Sequence, residues 1–95
     1  MQVFVVVKEL LDQPEYIKAF LTKEAANIFV KEPSRVDYQI WEKSVKGNID
    51  DPNTVYITQR YGVGDFHYFK DVYGNYSQAK TASGEKGQAL ACKIG

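Results

Sequence analysis

Cysteine and histidine are nearly absent from this chain: Cys92 and His67 each stand alone. A single thiol closes no internal disulfide, so a reducing cytoplasm is the expected compartment. One His and one Cys fall short of the four N/S ligands of an ordinary structural zinc site, and no metal or cofactor is expected. Charge of one sign is also lacking, since 12 basic and 12 acidic side chains cancel. That balance argues against broad phosphate tracking, which shows as a basic excess or stripe. The apolar opening Val3-Phe4-Val5-Val6-Val7 is of strand length, far short of a bilayer span, and no basic leader or cleavage region accompanies it. A membrane is therefore not an expected partner.

The residues that are present suit a small folded domain. The chain has 95 residues, with 44% apolar and 25% charged side chains, which are globular proportions for one domain over 1–95. Aromatics reach 14%, with seven Tyr, five Phe and one Trp. Tyrosine in such numbers suits strands and recognition surfaces alike.

Along the chain, residues 2–9 are rich in Val and read as a strand. Leu11 to Pro14 reads as a turn, and Glu15 to Leu21 as a second strand. Thr22 has the hydroxyl of an N-cap, and Glu24 supplies the negative charge favoured in a first turn. The period then predicts a helix over Lys23 to Glu32. It groups Ala25, Ala26, Ile28, Phe29 and Val30 on the apolar face. Pro33 ends it, because the residue before proline avoids the α region. Val36 to Lys43 alternates as a third strand, and the polar run Gly47 to Asn53 connects the first half of the chain to the second.

The pattern then starts again at an offset of 52 residues (55 − 3), which sets Val55-Tyr56-Ile57 under Val3-Phe4-Val5. The same offset sets Leu90 and Cys92 under Tyr38 and Ile40. Gly62-Val63-Gly64-Asp65 supplies a hairpin loop, Asn75 caps a helix over Tyr76 to Ala82, and Gln88 to Ile94 is the last strand. The expected fold is α+β: two β-β-α-β repeats, 1–46 and 54–95, forming antiparallel sheet with the helices on one face.

Catalytic constellations are not identifiable. His67 has no motif linking it to Ser77, Cys92 or a carboxylate, as acid–base or nucleophilic work would require. Gly62-Val63-Gly64 lacks the third glycine and the Lys-Ser/Thr ending of a phosphate loop. Cys92 alternates with Leu90 and Ile94 as a buried, inert thiol.

Alternation does suggest a contact surface. If Val3, Val5, Val55, Ile57, Tyr38 and Ile40 lie beneath the helices, the opposite face carries Phe4, Val6, Trp41, Lys43, Tyr56 and Arg60. Aromatic and arginine side chains dominate interface hot spots. Phe4, Trp41, Lys43, Tyr56 and Arg60 are therefore the candidate partner-binding residues.

Residues 3–45 carry a further pattern: Val3 to Val7, Tyr16-Ile17-Lys18-Ala19-Phe20-Leu21-Thr22-Lys23-Glu24-Ala25-Ala26, Phe29-Val30 and Tyr38-Gln39-Ile40-Trp41-Glu42. This half resembles small bacterial and bacteriophage β-β-α-β proteins marked by a Phe-x-Thr-Lys-Glu-x-Ala cap. The resemblance brings no catalytic residues. It implies a phage or mobile-element accessory protein, acting by analogy with anti-CRISPR and other anti-defence proteins. The leading expectation is a non-enzymatic module that binds a protein, either a host complex or a second copy as a homodimer. An alternative is single-stranded nucleic-acid or nucleotide binding on a Tyr-rich sheet face. A small hydrolase using His67 is the remote alternative.

Overall fold

The computed structural model describes residues 1–9, 14–61, 67–85 and 87–95, with residues 9, 60, 61 and 67–70 described as backbone alone. The elements are β1 (Gln2–Glu9), β2 (Pro14–Phe20), α1 (Lys23–Val30), a 3-10 turn (Pro33–Arg35), β3 (Tyr38–Lys46), β4 (Thr54–Tyr61), β5 (His67–Tyr73), α2 (Tyr76–Ser83) and β6 (Gln88–Lys93). The expected turn at 11–13 and hairpin loop at 62–65 lie outside the described residues. Pro14 opens β2 rather than ending a loop, a position that asks for no ladder N–H.

Six strands form one sheet in the order β2-β1-β3-β5-β4-β6, so the protein is α+β. Each half has its first strand in the middle, flanked by its second and third. Pairing within each half is antiparallel. The halves join differently: β3 and β5 run parallel, matching Val45 with Val72 and Lys46 with Tyr73. The sheet is therefore mixed rather than antiparallel throughout. Two direction reversals separate β3 from β5, one into β4 and one out of it, and two reversals restore the direction. The outer strands of the order also meet. Ala19 of β2 bridges Ile94 in parallel, and the Gly95 N–H donates to Ala19 O at 2.8 Å. The sheet thus curls until its ends touch.

The enclosed face holds a core that both halves supply. Val3, Val5, Val7 and Ala19 pack against Val55, Ile57, Val72 and Cys92. These side chains are almost wholly excluded from water, and each buried Val or Ile is worth about 1.5–3 kcal/mol. Small β-branched side chains fit where the two halves of the curled sheet approach this closely. The opposite face carries the helices. Val6, Phe20 and Ala26 form a second cluster there with Phe4, Phe29 and Ile40, while α2 lies across β4, β5 and β6.

This arrangement reverses the expected faces of the first strand. Val3 and Val5 meet the other half, and it is Phe4 and Val6 that lie under α1. An alternating strand does not say which of its faces a helix takes.

The third strand is shifted as well. Trp41 pairs with Val5 and Leu90 pairs with Ile57. Their offset is 49 (90 − 41), whereas Val5 and Ile57 are offset by 52 (57 − 5). The helices are offset by 53 (76 − 23), so the register changes between helix and third strand, where the first half carries the 3-10 turn Pro33–Arg35 and none is found among the described residues of the second. Leu90 and Cys92 therefore match Trp41 and Lys43, not Tyr38 and Ile40. The difference of three is odd, so the faces of β6 are exchanged and Leu90 and Cys92 go to the enclosed side, while Tyr38 and Ile40 lie under α1 as expected.

α1 forms as its cap signals require: Thr22 Oγ1 accepts from Ala25 N at 3.2 Å. It ends at Val30, with Lys31 as C-cap. Pro33 then starts the 3-10 turn, where its missing N–H costs nothing. Ala26 is fully buried, yet Ile28 is 68% exposed. Two residues at 100° each put Ile28 about 200° from Ala26, so it leaves the apolar face expected of it. α2 is regular over Tyr76–Ser83, its Asn75 Oδ1 accepting from Gln78 N at 2.8 Å.

Candidate functional site

The five candidate partner-binding residues do not share a face. Phe4 is half-buried beneath α1. Trp41 is half-buried against the shared core, and its Nε1–H donates to Gln39 Oε1 at 3.1 Å. Lys43 stands opposite Val3, and directly paired residues project to the same side. It therefore belongs with Trp41 on the enclosed face. Tyr56 lies on the helix side, with its ring edge-on to Tyr76 of α2 at 5.9 Å between centroids. Arg60 pairs through its backbone with Tyr68, and its side chain lies outside the described residues. So does that of His67, whose backbone pairs with Tyr61. The residues expected to share one sheet face are divided between two covered faces: α1 and α2 take one side, and the other half of the chain takes the other.

A densely bonded polar cluster lies elsewhere, at residues of which the sequence marks only Asn75, as a helix cap. It joins the β3–β4 connection to the start of α2. Asn75 is 6% exposed, and its Nδ2 donates to Asn48 O at 2.8 Å and also to Gln78 Oε1. Asn48 N donates to the same Gln78 oxygen at 3.0 Å. The backbone continues the junction, with Gly74 N donating to Lys46 O at 2.9 Å and Asp50 N to Gly74 O at 3.1 Å. Gly47 has φ +74°, and a Cβ there would overlap Gln78 Oε1. At Gly74 a Cβ would come within 2.6 Å of Asn48 O and 2.9 Å of Ile49 Cα. The sequence holds one signal of this, the dipeptide Gly-Asn at 47–48 and again at 74–75. These amide groups are spent on one another, so the cluster is a structural joint and presents no open chemistry.

Two other features have limited chemistry. A shallow groove of about 340 Å³ runs along α2, lined by Tyr73, Ser77, Gln78, Thr81 and Ala82. It has no charged lining residue, and Thr81 Oγ1 is committed to Ser77 O at 3.0 Å. Beyond α1, Arg35 lies 3.8 Å from the Phe29 ring centroid, and its Nη1 donates to Phe29 O at 2.8 Å. That guanidinium closes the C-terminal end of α1 by stacking and by satisfying a carbonyl. Among the described residues, no group of three or more His, Cys, Asp or Glu side chains is placed to hold a metal ion. No described helix is long and apolar enough to cross a membrane.

Cys92 is buried in the shared core, and desolvation raises its thiol from near 9 to about 11. A thiolate there would lose its hydration. Below pH 9 the thiol is protonated in both the folded and unfolded states, and its contribution to stability is full. Above that pH the unfolded thiol ionises first, so stability falls until the folded thiol ionises too. The expected loss is about 1 kcal/mol between pH 8 and 10. Urea midpoints across that range should show it in the native protein, with Cys92→Ala losing this part of the slope.

No family model matches the chain, and no curated protein or solved structure matches it significantly.

Proposed function

We propose that this chain is a non-enzymatic protein-binding module that contacts its partner through the outer side of α1 and the turn after it. The observation carrying this reading is the exposure of large apolar side chains there. Val36 is 79% exposed, Ile28 68% and Leu21 52%. They stand just before α1 (Leu21), on it (Ile28) and just past the 3-10 turn (Val36), and exposed apolar side chains that lie together mark contact sites more often than single ones do. Lys23, Glu24, Asn27, Lys31 and Glu32 surround them, all exposed. That charged setting is the polar rim of a transient interface and is ill suited to an obligate homodimer, whose large contact resembles a core cut in half. A foreign protein is therefore the favoured partner. The resemblance of residues 3–45 to small phage proteins adds a host defence complex as its class. We further propose that the two halves are copies of one β-β-α-β unit. Their shared element and strand order supports this.

The test is pairwise. Ile28→Glu and Val36→Glu should each weaken binding of a purified partner by at least about tenfold. Their unfolding free energies should change by no more than about 0.5 kcal/mol, because exposed positions carry little stability. Unchanged affinity in both variants would remove this face. A monomer by light scattering fits the reading, whereas a dimer abolished by Ile28→Glu would replace it with self-association. Salt-sensitive retention on single strands would turn attention to nucleic acid instead.

A further inference from the structure

Two seams join the halves, and among the described residues they are built unequally. At the β3–β5 seam two residue pairs match. Gly74 N donates to Lys46 O at 2.9 Å, and Lys46 Nζ meets Asp71 Oδ1 at 3.2 Å. The Asn48–Asn75–Gln78 cluster then ties the following loop to α2. At the β2–β6 seam there is the single bridge between Ala19 and Ile94. Gly95 N adds one hydrogen bond to Ala19 O at 2.8 Å, and the half-buried Ile94 side chain packs on the shared core. Parallel pairing is slanted and the less stable kind per residue, so a one-residue parallel contact is a weak closure.

We propose that the β2–β6 seam is the opening edge of the curled sheet and that Ile94-Gly95 is its clasp. When the clasp releases, β6 keeps its ladder with β4, and the β3–β5 seam keeps its joint. The core face of β6 then meets water while the rest of the fold holds. Such sub-global opening draws on the least-bonded boundary of a structure. The surface it makes accessible is an apolar edge carrying Cys92, which is 3% exposed in the closed form.

Cys92 is also the reporter, as the one thiol in the chain. Its labelling by an aromatic disulfide reagent is followed at urea concentrations below the unfolding transition. Opening at the seam exposes little surface, so the rate should be almost flat in urea, unlike global unfolding. Ile94→Ala should raise that flat rate by at least about tenfold, and Ile94→Val by a few-fold. Asn75→Ala loosens the opposite seam and should leave it within about twofold. A native rate that climbs with the full urea dependence of unfolding overturns the proposal, because the thiol then appears only when the whole molecule unfolds. Equal acceleration by Asn75→Ala and Ile94→Ala overturns it as well. The slope of the unmutated protein and the mild Ile94→Val variant keep the test decisive if Ile94→Ala does not fold.

Discussion

Ile57→Ala should lower the unfolding free energy by about 3–4 kcal/mol, the range for removing a fully buried aliphatic side chain, and it should do so for both halves at once. Ile57 has no exposed surface. It lies on β4, in the second half, but the cluster around it includes Val3, Val5 and Val7 of β1. Truncating it therefore opens a void between the halves. Trp41, the single tryptophan of the chain, reports from the first half. It packs against the same cluster without being exposed. Its fluorescence transition in urea should shift down by roughly 2 M and coincide with the loss of circular dichroism, as one cooperative unit requires. Ile57→Val should move both by about a third as much. A Trp41 transition left in place while the dichroism moves would show two separable units and contradict the shared core.

Legibility in the sequence tracks the range of the interactions. α1 is readable because Thr22, Glu24 and Pro33 act within a few residues of themselves. Its one misplaced residue, Ile28, is an error of angle rather than of missing information. The strands are readable as strands, but their faces are not. Val3-Phe4-Val5-Val6-Val7 is apolar on both sides because both sides are covered, one by α1 and one by the other half. Such a run has no polar alternation to orient it. Trp41 keeps the side expected of it, opposite α1, with Tyr38 and Ile40 under the helix. That side is enclosed by the other half of the chain, and nothing local to Trp41 announces that. The joint at Asn48, Asn75 and Gln78 is a contact across 27 to 30 residues, visible in the sequence only as a repeated Gly-Asn.

These corrections change what a mutation at Trp41 would mean. On an open face, Trp41→Ala would have tested binding. On the enclosed face it removes packing from the core and the Nε1–H bond to Gln39, so a loss of partner would result from a loss of fold. The same holds for Phe4 under α1 and for Tyr56 against Tyr76. Ile28 and Val36 have the opposite property. Their side chains are mostly in water, so a change there separates contact from stability.

Gly47→Ala should cost about 3 kcal/mol, a large effect for one added methyl group, and the cost has two parts that can be measured separately. The first is conformational. At φ +74° an L-residue pays about 1 kcal/mol or more for the left-handed region. The second is steric, since the new Cβ would overlap Gln78 Oε1. Gln78 must then turn away and give up the bonds from Asn48 N and Asn75 Nδ2, each worth about 1 kcal/mol net. In a Gln78→Ala background those bonds are already gone and there is nothing to overlap. The conformational part alone should remain. The two substitutions should thus be less costly together than the sum of each, by about 1–2 kcal/mol in a double-mutant cycle. Strict additivity would mean that Gly47 and Gln78 do not meet. A Gly47→Ala variant as stable as the parent would mean that the connection does not take the left-handed turn that lays Asn48 on the start of α2.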